Sequence, residues 1–236
     1  MNKKNKIIEV EDAEEVETPE DSKKSTKKLL IAIGIVIAVF VLFVAAFRFT
    51  LFLRGPTSNV VTLNELHELN LEGKLKEDSY VYNGFSFVYF NGGWYTQAQR
   101  GDTLYDIPLH YGPRDVEDIP IAGALDPNFG TNRIIYVSFD PRDYYIGFAA
   151  IELSLNLGKG LEAGTKSACD KAYDIDACKE RQVITCDDKD KSVIHIKKAN
   201  ETKIKLNSNC IVIEGNEKEL LRATDNVILR FYKIIN

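Results

Sequence analysis

Histidine is scarce: His67, His110 and His195 are the only three in 236 residues, and they lie far apart in the chain. No paired-histidine metal motif can be written from them. Cysteine is sparse as well. All four cysteines fall after residue 168 and none forms a C-x-x-C pair, which excludes a thioredoxin-like redox motif. Eight residues separate Cys169 from Cys178 and seven separate Cys178 from Cys186, with no histidine nearby. Zinc ligands normally pair across about two to four residues, so neither a metal nor a cofactor is expected. An excess of basic charge is missing too, with 30 Lys and Arg against 35 Asp and Glu and a net charge of -5. No basic run is interleaved with aromatics, which argues against nucleic acid as a partner. There is no glycine-rich phosphate loop, and "NGG" at 91–93 is explained as a turn. No internal repeat is present.

One long apolar run stands against these absences. "LLIAIGIVIAVFVLFVAAF" (29–47) has no charge and no hydrogen-bonding side chain. As a helix rising about 1.5 Å per residue it is long enough to cross a hydrocarbon core. A cleaved secretory signal is the alternative, since Val44 and Ala46 are small. Signal-peptide cores run only about 7–15 residues, however, and here a polar segment of 28 residues precedes a longer one. The expectation is an uncleaved span over 29–53. Lys23, Lys24, Lys27 and Lys28 crowd its N-terminal flank against Arg48 and Arg54 on the other. The positive-inside rule then puts residues 1–28 in the cytoplasm and the rest outside the cell membrane. The acidic tail within 1–28 has no apolar periodicity and is expected to be disordered.

Beyond the span, "RGPTS" (54–58) breaks the helix, which separates this chain from pilin-like subunits whose apolar helix continues as a spine. Thr62 and Glu65 form a capping box for a short helix to about residue 69. The first exported part (57–132) is rich in aromatics. Asn83-Gly84 and Asn91-Gly92-Gly93 are turn signals between at least three antiparallel strands, and 112–132 reads as irregular. The second part (133–236) opens with "RIIYVSF" as a buried strand. A helix follows, with Asp140 as its cap and Asp143 completing a capping box. Four short strands are then expected at 182–186, 192–197, 202–206 and 210–214, and a last helix is capped by Asn216 with Glu219. Period-2 alternation puts Ile194, Ile196, Ile204, Leu206, Ile211 and Ile213 under that helix. Val193, His195, Lys203 and Lys205 face water or a partner. The fold class is α+β: an N-terminal transmembrane helix, then an extracytoplasmic antiparallel sheet with packed helices.

Four cysteines confined to an exported domain are most simply two disulfides. Cys169 and Cys178 flank a short loop. In an up-and-down run of four strands the end of the first and the start of the fourth share an edge, which brings Cys186 near Cys210. Strand parity alone does not fix that second pairing. A different chemistry is suggested by "VITCDDKDKSVIHI", which resembles the active-site strand of sortases and would make Cys186 a transpeptidase nucleophile. The family's arginine after the cysteine is replaced here by Lys189 and Lys191, and His110 lacks the family's surroundings. The order "YNGFSFVYFNGGWYTQ", "DIPLHYGPRDVEDIPI", "ITCDD", "NETKIKLNSNCIVIEG", "ELLRATDNVIL" is similar to a group of uncharacterised single-pass archaeal membrane proteins. That resemblance implies source and topology and no activity.

Asn200-Glu201-Thr202 is an N-glycosylation sequon, expected in a hairpin loop. His67 and His195 read as solvated face residues. His110, close in sequence to Arg114, Asp115, Glu117 and Asp118, is the one histidine expected in a polar cluster. Large rings on both faces of the 80–99 hairpin single out Phe90, Trp94 and Tyr95 as a possible binding surface. The expected role is binding or structural support in the cell envelope, without catalysis, through the membrane and an envelope protein partner.

Overall fold

The computed structural model describes residues 19–53, 61–75, 79–131, 134–160 and 164–236. They fall into two units, Met1–Val60 and Val61–Asn236, each described by itself. In the first, α1 runs from Pro19 to Leu53. Its stretch Leu30–Thr50 is long and apolar enough to cross a membrane, and its side chains are exposed. At about 1.5 Å per residue those 21 residues span roughly 31 Å, close to the thickness of a bilayer core. The helix starts ten residues before the apolar run, so 19–28, expected to be disordered, are helical. Once the apolar stretch nucleates a helix, each added residue needs only one further hydrogen bond. Residues 1–18 and the break at 54–58 lie outside the described residues.

The second unit begins with α2 (Leu63–Leu71), closed by the expected capping box: the Thr62 hydroxyl accepts from the Glu65 amide and the Glu65 carboxylate accepts from the Thr62 amide. Four antiparallel strands follow, β1 (Ser79–Tyr82), β2 (Phe85–Phe90), β3 (Gly93–Arg100) and β4 (Thr103–Leu109), in the order 1-2-3-4. Asn91 and Gly92 join β2 to β3 with φ of 50° and 86°, the left-handed pair that a two-residue hairpin turn needs. One face of this sheet sends Phe87, Ile107 and Leu109 into the main core. On the other face Ser86 meets α2, where its hydroxyl contacts His67 Nδ1 at 2.9 Å and accepts from Asn70 at 2.7 Å. His67, expected to be solvated, is 2% exposed.

The segment expected to be irregular holds a 3-10 turn at Pro113–Asp115 and a strand, β5 (Ile121–Leu125). β5 is the edge of a second sheet, so the expected boundary at 132/133 does not divide the fold. The other strands are β6 (Ile134–Phe139), β7 (Gly164–Cys169), β8 (Ser192–Lys198), β9 (Lys203–Ser208) and β10 (Cys210–Gly215), in the order 5-9-10-8-6-7. Only β9 and β10 pair antiparallel; the other four pairings are parallel. The antiparallel expectation therefore holds for the first sheet and not for the second. β10 takes the place between β8 and β9 because its run "CIVIEG" is buried at all six positions, which an edge strand would leave open. Gly123 of β5 has φ 96°, and a Cβ there would run into the Leu206 carbonyl of β9. The expected strand at 182–186 makes only one bridge, Val183 to Cys169.

α3 (Tyr144–Gly160) connects the parallel neighbours β6 and β7 and packs against both sheets. It starts after Asp143, whose carboxylate accepts from the Ile146 amide, while Asp140, the expected cap, holds Arg142 at 2.7 Å. α5 (Lys218–Phe231) covers β10 and packs on α3; Glu217, not Asn216, stands at its cap position. Beneath it lie Ile194, Ile196, Ile204, Ile211 and Ile213, as the alternation requires. The opposite face is open at Lys203 and Lys205, whose side chains are 33% and 45% exposed, but not throughout. Val193 and Val212 are buried there with Ala168, Ile184 and Cys210 in a smaller cluster.

Candidate functional site

His110 follows β4 directly, Glu152 is the only acidic residue of α3, and Asp225 lies midway along α5. The packing of α3 against β4 and of α5 against α3 brings the three together. Each offers one potential ligand atom, and these atoms lie within 4.8 Å of one another. The imidazole Nδ1 sits 2.8 Å from both Glu152 oxygens. One Asp225 oxygen, Oδ2, accepts from the backbone amides of His110 at 3.1 Å and Tyr111 at 2.8 Å. The other, Oδ1, is buried with no donor in reach, and the Asp225 carboxyl faces that of Glu152. Asp225 is 0% exposed, Glu152 is 8% exposed, and the His110 side chain is 45% exposed.

Burial, reinforced by the nearby Glu152 charge, pushes the Asp225 carboxyl well above the usual carboxylate range. The hydrogen bond to Glu152 raises the His110 pKa, against the opposing effect of burial. A cleft of about 190 Å³ opens onto His110 and Glu152, walled by the Asn91-Gly92-Gly93 turn, Tyr95, Pro108 and Leu109. A buried carboxyl pair with an imidazole at its mouth can exchange a proton or hold a cation.

This is not the cluster expected from the sequence. Arg114 stacks on the Tyr80 ring at 4.0 Å, Asp115 accepts from the Gly112 amide, and Asp118 binds Arg222 at 2.6 Å. Glu152 and Asp225 are distant in sequence from His110. The only signal for Glu152 is a lone acid in a largely apolar helix.

The expected binding surface adjoins this cleft. Tyr89 and Phe90, at the end of β2, are 44% and 37% exposed. Phe90 meets Tyr95 edge-on at 6.4 Å, and Trp94 is half-buried against Tyr80 at 5.0 Å. Further back on the strand both faces are covered, one by α2 and the other by the main core, where Val116 and Ile119 of the 112–132 segment join Phe87 and Arg114 stacks on Tyr80.

Both expected disulfides are present, Cys169–Cys178 with Cα atoms 5.9 Å apart and Cys186–Cys210 with Cα atoms 5.4 Å apart. All four cysteines are used. With its sulfur bonded to Cys210, Cys186 has no thiolate to act as a nucleophile. Asn200 is exposed, in the connection between β8 and β9, which are separated by β10 and do not form a hairpin. His195, expected on an open face, is half-buried, with Nε2 3.6 Å from Asp170.

The molecule belongs to a general class: an N-terminal helix apolar enough to span a bilayer, followed by a disulfide-stapled α+β unit. No protein-family model, curated protein or solved structure matches the chain.

Proposed function

We propose that this is a single-pass membrane protein, its N-terminus cytoplasmic, that displays a binding or structural domain in the cell envelope. The observation that carries the reading is the exposed apolar face of α1 combined with two disulfides in the following unit. Exposed isoleucine, valine and phenylalanine all round a helix are stable in lipid and not in water. Disulfides persist on the oxidising side of the membrane. Lysines on the N-terminal flank orient the helix tail-in. The resemblance to single-pass archaeal membrane proteins fits the same topology. The binding face is the end of the β2–β3 hairpin, where Tyr89 and Phe90 stay exposed beside the cleft.

Two measurements test this. Protease added to intact cells or spheroplasts should digest the domain after the span and spare the N-terminal tail; a protected domain overturns the orientation. A photo-cross-linking residue at Phe90 should trap an envelope protein, whereas one at exposed Lys166 should not. Equal labelling from both positions overturns the hairpin as the binding face.

A further inference from the structure

In the cluster of His110, Glu152 and Asp225 two buried carboxyls face each other, an arrangement held together by a shared proton or by a cation. Oδ1 of Asp225 is buried with no donor in reach, its sister oxygen is fixed by two amides, and the Asp225 carboxyl faces the carboxyl of Glu152. Buried polar atoms are nearly always satisfied, and an exception calls for an explanation, a bound ion among them. The fixed oxygen also orients the carboxylate, as outer hydrogen bonds do for metal ligands. We propose that His110, Glu152 and Asp225 form a binding site for one divalent transition-metal ion, with zinc as the best match.

The donor set decides the class of ion. Two carboxylates match a doubly charged cation. The imidazole nitrogen favours zinc and its neighbours copper, nickel and iron over calcium, magnesium and manganese, which prefer oxygen. No thiol takes part, so the site does not select a soft monovalent ion. The spacing is compatible. Zinc with bonds of about 2.0–2.2 Å holds tetrahedral donors ~3.3 Å apart. Nδ1 and the Glu152 oxygens are already 2.8 Å apart, and no ligand atom lies more than 4.8 Å from another. The greatest adjustment required is thus about 1.5 Å, which the half-exposed His110 ring can supply. The cleft over His110 and Glu152 gives the ion a route in and leaves room for water to complete its coordination. α3, α5 and the end of β4 would be tied together at one point, so the ion should also stabilise the fold.

The test uses the full-length protein in detergent, stripped with a chelator, then titrated with zinc by calorimetry and with cobalt by visible absorption. One ion per chain is expected, with a rise in Tm. His110→Ala, Glu152→Gln and Asp225→Asn should each weaken binding at least tenfold and abolish that rise, and His195→Ala should change neither. His110 is half-exposed, so its variant reports on binding even if the Asp225 variant fails to fold. Absence of binding by the parent overturns the site. Binding that survives both His110→Ala and Glu152→Gln places the ion elsewhere and also overturns it. Either failure leaves the membrane topology untouched, because protease protection tests that separately.

Discussion

Phe87 and Phe90 are three residues apart on β2, yet their surroundings differ. Phe87 is 0% exposed, stacked on Tyr80 at 5.5 Å and set in the main core. Phe90 is 37% exposed and touches mainly Tyr95. Truncating a buried phenylalanine removes its transfer energy and leaves a cavity, so Phe87→Ala should cost about 3–5 kcal/mol. For a domain of this size that lowers Tm by about 6–20 °C. Phe90→Ala should cost less than about 1 kcal/mol. Thermal melts of the two variants check this, and equal losses would show that the hairpin end is as well packed as its middle. The same contrast explains why alternation could place both rings but not tell which was covered.

At the scale of elements, the outer face of the six-stranded sheet depends on a covalent tie. The irregular stretch 184–186 lies over Val193 and Val212, and Cys186 is bonded to Cys210 at the start of β10. Ile184 is buried there, and its carbonyl accepts from the Ser138 hydroxyl. That loop makes only one strand-like bridge, so little backbone pairing holds it down. The Cys186→Ala/Cys210→Ala double variant should lose about 2–4 kcal/mol. Hydrogen exchange at the Val193 and Val212 amides should quicken in it. The Cys169→Ala/Cys178→Ala pair should leave those two amides unchanged. Unaltered exchange in the first variant would mean that apolar contact alone keeps the cover in place.

At the scale of the whole molecule, the His67 and His195 imidazoles contribute a loss of stability in mild acid. Burial lowers the pKa of His67, with Asp106 opposing, and that of His195, with Asp170 opposing. Below about pH 6.5 the unfolded chain takes up protons on these rings that the folded chain resists, so stability falls as pH drops. His110 and Asp225 act the other way, since their folded pKa values are raised. A His67→Gln/His195→Gln variant isolates the first effect. Between pH 7.5 and 5 its stability, measured by urea unfolding, should decline less steeply than that of the parent. Parallel curves would show that these two rings are not what the acid sensitivity reports.

The sequence alone determined what depends on neighbours along the chain. The apolar run, the Thr62–Glu65 cap, the Asn-Gly turns and the alternation of β8 to β10 are local patterns, and each has its counterpart in the structure. Strand order was decided by tertiary structure, because burial of β10 on both faces selects the slot between β8 and β9 over a simple meander. That choice made the sheet largely parallel and turned the Asn200 hairpin into a crossover loop. The burial of His67 depended on α2 closing over Ser86, which its own polar helix sequence does not announce. The cluster of His110, Glu152 and Asp225 exists only because two helices pack side by side beneath the end of β4. Sequence separations of 42 and 115 residues carry no local signature, so only the folded chain could place these groups within reach of one ion.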